Sequence, residues 1–229
     1  MKGVVRSLCV GGALVTVGLA CVPREAFADA PARSAAIGDA EVTRRIAFLE
    51  ARLGRDERAG RTWWTVWFVT YATLAVGQGA IAIATTDPGL RADMAVGAAF
   101  SPIGNLGLAL FPIGFKSPVS RLTRYPERTQ AERRYKLSLL EHRLDETARE
   151  EALGRSWLSH VAGAAVSLAS GLVLAIGYDR VESGAVNVVS GIAVAELQIW
   201  TQPVIARDAA REYGRPVSQV GRPGLVFSF

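Results

Sequence analysis

The sequence predicts an all-α integral membrane protein with four transmembrane helices, built as two parallel-repeated units that each contain an amphipathic helix and a transmembrane hairpin. Two observations predict this class. Four windows, residues 62–86, 94–115, 156–178 and 183–206, contain no Asp, Lys or Arg, and the two halves of the chain repeat one another. A helix needs about 20 apolar residues to cross about 30 Å of hydrocarbon, and each window exceeds that length.

The N-terminal 28 residues have the pattern of a secretory signal peptide. Two basic residues precede an apolar stretch from Leu8 to Val22, and Ala26-Phe27-Ala28 places small residues at the first and third positions of a cleavage site. We therefore expect cleavage after Ala28 and a flexible linker over residues 29–39. An uncleaved N-terminal anchor is the alternative.

Composition limits the classes of molecule that the chain is expected to bind. The net charge of +5 comes mainly from arginine, which suits either nucleic acid or an anionic membrane surface. The long uncharged windows favour membrane lipid, and acids interspersed among the arginines argue against nucleic acid. Both cysteines, Cys9 and Cys21, belong to the predicted signal, so the mature chain would offer no disulfide and no cysteine metal site.

The internal repeat organises the rest of the chain. A shift of 91 residues aligns the two copies of a Leu-Glu-X-Arg-Leu motif, which begin at Leu49 and Leu140. Repeat 1 covers residues 40–116 and repeat 2 covers residues 131–207, with a linker over 117–130 and a C-terminal tail over 208–229. The predicted elements are amphipathic helices at 40–59 and 131–153, each followed by two spans, 62–86 and 94–115 in repeat 1 and 156–178 and 183–206 in repeat 2. Because each unit crosses the membrane twice, both amphipathic helices return to the same side.

Each amphipathic helix carries a narrow apolar seam with a spacing of three and four residues. The seam residues are Ile46, Leu49 and Leu53 in repeat 1 and Leu137, Leu140 and Leu144 in repeat 2. Such a seam packs against another helix or lies on a membrane surface. Mutual packing, packing in a homo-oligomer and contact with anionic headgroups are all open at this point.

Polar side chains inside the windows are the candidate site residues. Glu196 is the sole Asp, Glu, Lys or Arg in any window, and counting 1.5 Å per residue from the end of the last window places it near mid-bilayer. The repeat makes Asn105 its equivalent. We expect a polar clamp between the halves, or else a path for an ion, proton or substrate. The same count places His160 closer to the surface, beside Gln198 or Gln202.

Small residues at every fourth position form a helix-packing ladder in the third window. Its members are Gly163, Ser167, Gly171 and Ala175, and repeat 1 contains part of the same ladder at Thr73 and Gly77. Ladders of this kind let two helix backbones approach closely.

The sequence predicts no enzyme: we assign no catalytic residue, no cofactor and no metal site, because no motif for them occurs. The predicted function is a membrane scaffold or interaction protein that assembles with itself or with another membrane protein through its amphipathic and small-residue faces. The first alternative is a small transporter or channel subunit. The second is a short-stranded outer-membrane β-barrel, suggested by the alternating C-terminal residues Val226–Phe229.

The location predicted is a bacterial-type inner membrane, with the outer membrane as the alternative. Two signals disagree on orientation. The basic residues lie mostly in the segments that flank the hairpins, which the positive-inside rule places in the cytoplasm, whereas a cleaved signal places those segments outside. We favour the signal.

Overall fold

The structure, a computed structural model, describes residues 37–110 and 119–214. The predicted signal peptide, both cysteines and the C-terminal residues 215–229 lie outside that part of the chain. Within it, every regular element is helical and no strand occurs, which confirms the helical class and leaves the barrel alternative without support.

Seven helices follow one another in the described residues. They are α1 (Asp39–Ala84), α2 (Pro88–Leu110), α3 (Val119–Leu122), α4 (Gln130–Gly154), α5 (Trp157–Leu172), α6 (Val181–Thr201) and α7 (Ile205–Glu212). A single π-helical turn, Val173–Gly177, continues α5 towards α6.

Helix α1 is one unbroken element of 46 residues, about 69 Å long at 1.5 Å per residue. The sequence predicts two elements here, 40–59 and 62–86. No proline separates them, and the glycine between them, Gly60, is buried within the helix, so nothing in the backbone ends the helix at that point. It ends at Ala84, where Thr85 is extended and a proline follows at position 88.

The first half of α1 packs with α3, α4 and α7 into a compact cluster that we call the head. Its core consists of Val42, Ile46, Leu49, Leu53, Val119, Leu137, Leu140, Leu144, Ala148, Ala206, Ala209 and Ala210. The two predicted seams face each other there, and all six seam leucines and isoleucines are at most 2% exposed. Each such side chain stabilises the fold by about 2 kcal/mol.

Helix α4 begins at a capping box. Thr129 accepts a hydrogen bond at Oγ1 from the Glu132 backbone N–H (3.2 Å), and the Glu132 carboxylate accepts one from the Thr129 N–H (2.9 Å). The helix begins at Gln130 and ends at Gly154, each within one residue of the predicted range 131–153.

The last predicted span, 183–206, ends early and a further helix follows it. Helix α6 stops at Thr201 because Gln202 leaves the helical conformation and Pro203 cannot continue the helix. The chain then reverses into α7, which packs onto α4 and the first half of α1. Its buried face consists of Ala206, Ala209 and Ala210.

The remaining helices form two antiparallel hairpins, one from the second half of α1 with α2 and one from α5 with α6. In the first, the Trp64 indole N–H donates to the Leu108 carbonyl (2.9 Å). The turns of both hairpins meet at the end far from the head, where the Arg180 guanidinium binds the Asp93 carboxylate at 2.8 and 2.9 Å.

Three helical segments are long and apolar enough to cross a membrane: Asp39–Ala84, Trp157–Gly177 and Val181–Glu212, the last being α6 together with α7. Only 6% of the most apolar stretch of α1 is buried inside the structure. Ile83 (87% exposed), Ile176 (79%) and Val76 (73%) present bare apolar surface, as expected for side chains solvated by lipid. Helix α2 is not among them within its described residues, which end at Leu110, five residues before the end of the predicted window 94–115.

Candidate functional site

Polar groups from α1 and α6 meet at the junction between the head and the hairpins. The Trp63 indole N–H donates to the Gln198 carbonyl and to Thr201 Oγ1 (both 3.2 Å), and the Trp67 N–H donates to the same hydroxyl (3.1 Å). The Tyr71 hydroxyl donates to the Gln198 side-chain oxygen (2.8 Å). These bonds hold the two hairpins together at the head end.

Glu196 forms the centre of a small polar cluster, and its partners differ from those predicted from the sequence. His160 Nδ1 lies 2.8 Å and 2.9 Å from its two carboxylate oxygens, and the Trp200 indole N–H donates to one of them (3.0 Å). The expectation that His160 neighbours Gln198 or Gln202 is therefore wrong.

The early end of α6 explains this difference. Depth counted from the helix end at Thr201 is about 7.5 Å for Glu196, not the 15 Å obtained from residue 206, and His160 lies about 4.5 Å inside the start of α5. The two side chains thus lie at similar depth near the head, and the corrected count no longer predicts a mid-bilayer position for Glu196.

Asn105 and Glu196 do not come together. The hydrogen-bonding partners of Glu196 in the described chain are His160 and Trp200, whereas Asn105 lies on α2 with its side-chain oxygen buried and without a donor among those residues. The predicted clamp between the two repeats therefore is not formed by these two side chains.

The small-residue ladder of α5 lies against α6. A Cβ added at Gly171 would lie 2.3 Å from Val188 Cγ2 and 2.6 Å from the Gly184 carbonyl, and one added at Gly163 would lie 2.7 Å from Ala195. Ser167 continues the ladder against Gly191, and Ala175 lies against Gly184. The small-residue ladder therefore packs against α6 of the same chain.

The corresponding pair in repeat 1 is placed differently. Thr73 and Gly77 are exposed, and a Cβ added at Gly77 would meet nothing within 4 Å. The α1–α2 contact instead depends on Gly97, beside Gln78, and Gly104, beside Tyr71.

The apolar seams are also occupied within the chain. Because Ile46, Leu49 and Leu53 pack against Leu137, Leu140 and Leu144 in one core, neither seam is available to headgroups or to a second protein. The head therefore has the mutual packing of the two seams, and its contacts within the chain bury all six seam side chains.

A buried pair of carboxyl groups, Asp56 and Glu151, lies where α1 and α4 leave the core, and neither residue is among the predicted site residues. Asp56 is 3% exposed and Glu151 is fully buried. The Glu151 carboxylate accepts hydrogen bonds from the Ala206 (3.1 Å) and Arg207 (2.7 Å) backbone N–H groups, capping the first turn of α7. Both acids lie at positions that continue the spacing of their seams, Asp56 three residues after Leu53. That spacing is the feature of the sequence from which their burial could have been predicted.

Burial sets the protonation of this pair. It raises the pKa of Glu151 to about 9, reinforced by hydrogen bonding and charge repulsion from Asp56, and the two backbone N–H groups oppose the shift only in part. Burial also raises the pKa of Asp56, while the contact with Glu151 and the charge of Arg143 oppose it. The pair therefore retains a proton at neutral pH.

A second buried charge, Lys136, joins α4 to α1. It is 1% exposed, and its ammonium group lies 2.6 Å from a Glu50 carboxylate oxygen and 2.5 Å from one of Glu127. It also donates to the Thr123 carbonyl (3.1 Å). These partners raise its pKa against the opposing effect of desolvation, so it stays charged inside the head.

Among the described residues, no group of three or more His, Cys, Asp or Glu side chains is arranged to hold a metal ion. Comparison of the chain with protein-family models, with curated proteins and with solved structures finds no match.

Proposed function

We propose that the chain is a non-catalytic integral membrane scaffold that holds a folded helical head at a membrane surface. The observation that carries the proposal is α1, a single helix that contributes the core of the head with its first half and an apolar, exposed surface with its second half. Because no flexible joint lies within it, the head is fixed relative to the hairpins.

We further propose that α2 is a fourth crossing and that the two hairpins are parallel repeats. The antiparallel packing of α2 along α1 supports the crossing, since α2 returns the chain to the head end. The contact between the two turns, through Arg180 and Asp93, supports equal orientation of the hairpins. Reporter fusions after Pro118, Glu182 and Gly214 test both points: positions 118 and 214 share one side and 182 lies on the other.

The same fusions test the location. We propose the inner membrane with the head outside the cytoplasm, as a cleaved signal requires. Cytoplasmic activity of the fusions at 118 and 214 would reverse this orientation, in line with the basic flanks.

Self-association is the interaction that the free surfaces support best. The seams and the α5 ladder are occupied, which leaves Thr73 and Gly77, four residues apart on the exposed face of α1, as a small-residue surface for a second copy. Gly77→Ile fills this surface without a clash inside the chain. We expect light scattering in mild detergent to show a dimer or larger assembly for the wild type and a monomer for Gly77→Ile, with Val76→Ile as the matched control. A monomeric wild type contradicts the self-association.

The His160–Glu196 contact favours keeping a small transporter as the second candidate, because paired ionisable groups within apolar helices are common on ion and proton paths. Proton flux into vesicles separates the candidates. A scaffold gives no flux above that of empty vesicles, whereas a proton path gives flux that Glu196→Gln abolishes and Glu182→Gln, at the exposed start of α6, does not.

A further inference from the structure

We propose that a groove at the junction between the head and the hairpins binds an anionic phospholipid from the surrounding membrane, with an acyl chain along its indole wall and the phosphate beside Arg58. This inference rests on the proposed function, because it needs the hairpins to lie in a bilayer.

The groove lies between α1 on one side and the α6–α7 corner on the other. Its volume is about 680 Å³, and its apolar wall consists of Trp63, Val66, Trp67, Leu197, Pro203 and Ile205. Sites for small ligands commonly combine such an apolar wall with a few polar groups at one end.

The indole wall is fixed before any ligand arrives. Each of the two indole N–H groups is used in a hydrogen bond to α6, Trp63 to Gln198 and Thr201, and Trp67 to Thr201. The indoles therefore offer the groove apolar surface rather than unsatisfied donors. An acyl chain suits that surface, because it needs no hydrogen bond and the wall requires little reorganisation.

The charge of the groove favours an anion. Arg58 is the one charged residue in its lining, and it is exposed and makes no hydrogen bond or ion pair with any described residue. The neighbouring Arg61, by contrast, binds Glu57 at 2.5 Å. A guanidinium without a partner binds phosphate with two parallel hydrogen bonds.

The position of the groove favours lipid over a soluble anion. Arg58 lies four residues before the uncharged stretch that begins at residue 62, about 6 Å along the helix axis, so it reaches the headgroup level. The lower wall continues into the exposed apolar surface of both helices at Val66 (55% exposed) and Leu197 (57%). A lipid can therefore enter from the bilayer without leaving it.

Retention of lipid by the full chain tests the proposal. The protein is reconstituted in phosphatidylcholine vesicles with or without phosphatidylglycerol, extracted in mild detergent and weighed by native mass spectrometry. We expect the wild type to retain phosphatidylglycerol in preference to phosphatidylcholine, and Arg58→Gln to bind it about fivefold more weakly, the effect of one basic residue at an anionic surface. Arg55→Gln, an exposed arginine of the same helix outside the groove, should match the wild type. Equal retention of both lipids, or no effect of Arg58→Gln, overturns the proposal.

A photoreactive phenylalanine analogue at Val66 gives a second measurement that does not depend on the arginine variant. A product heavier by one phospholipid supports the groove as a lipid site. A product with twice the protein mass, or a link within the chain, assigns the groove to a second copy or to another segment and overturns the proposal.

Extraction at alkaline pH separates this inference from the proposed function. If the protein stays with the membrane pellet but shows no preference for phosphatidylglycerol, only the lipid site fails. If it is released into the supernatant, the integral membrane assignment itself fails.

Discussion

Asp56 and Glu151 place two acids in an apolar core, and their shared proton gives the head a pH-dependent stability. The unfolded chain releases the Glu151 proton near its ordinary pKa of 4.5, whereas the folded chain holds it up to about 9. The folded state therefore binds more protons than the unfolded state between these values, and its stability falls as the pH rises through that window.

We expect Glu151→Gln to remove this dependence. An amide cannot lose a proton, it can donate to Asp56, and its oxygen can accept from the first turn of α7. The wild type should lose several kcal/mol between pH 5 and pH 9, at most about 1.4 kcal/mol per pH unit for one proton, and the variant much less, as followed by thermal unfolding in detergent with far-ultraviolet circular dichroism. Parallel curves for the two proteins would contradict the shared proton.

Lys136 provides a second residue-level prediction. Lys136→Met removes the cation and leaves Glu50 and Glu127 without it, so we expect a loss of about 2–3 kcal/mol in the free energy of unfolding. Arg44→Met is the matched control, because Arg44 is 77% exposed and its pair with Glu41 contributes at most about 0.5 kcal/mol. Similar melting temperatures for both variants would show that the buried pair is not needed.

Single residues also show how far sequence reasoning extends. The seam residues are found by their spacing, because burial of leucine at steps of three and four is a property of one helix. The His160–Glu196 contact cannot be predicted from spacing, because it depends on where α6 ends relative to α5. That end is set by Pro203, which the sequence shows but which a count of uncharged residues ignores.

At the scale of helices, the packing of α5 on α6 depends on close contact between their backbones. The exposed face of α1 at Gly77 makes no such contact within the chain. Gly171→Ile would place side-chain atoms where Val188 and the Gly184 carbonyl already lie, so the helices must separate. We expect a loss of about 3 kcal/mol or failure to fold.

Gly77→Ile is the control for that change, because the same substitution meets open space on α1. We expect its free energy of unfolding to lie within about 1 kcal/mol of the wild-type value, although both glycines belong to the same predicted ladder. Circular dichroism and the yield of monodisperse protein in detergent check both variants. Equal damage at the two positions would mean that the face of α1 at Gly77 packs against another part of the same chain.

The positions of the apolar helices could be predicted from the sequence, but the places where one helix ends and the next begins could not. Windows without charge predict the apolar segments, since a charged side chain in lipid is costly. The continuity of α1 through Gly60 and the reversal into α7 depend on packing in the head, where α7 buries only alanines. Helix α7 begins inside the last uncharged window, so a count of uncharged residues does not separate it from α6.

For the molecule as a whole, the two hairpins are joined at both ends. Hydrogen bonds from Trp63, Trp67 and Tyr71 to α6 hold the head end, and the pair Arg180–Asp93 holds the turns. The repeat in the sequence predicts turns on one side, because an even number of crossings returns each unit to its origin. It does not predict which side chains join the hairpins, since none of these contacts lies between equivalent positions of the two repeats.

The link between the turns can be measured by a double-mutant cycle. Arg180 and Asp93 are 34% and 23% exposed and form two hydrogen bonds, so we expect a coupling free energy of about 1 kcal/mol between Arg180→Gln and Asp93→Asn in thermal unfolding. The same cycle on Arg211 and Asp208, an exposed pair within α7 at 3.4 Å, should give a value near zero. If the Arg180 and Asp93 substitutions were additive, the turns would not be in contact. The same-side arrangement of the hairpins would then lose its structural support, because two turns on opposite faces of a bilayer about 30 Å thick cannot couple through an ion pair.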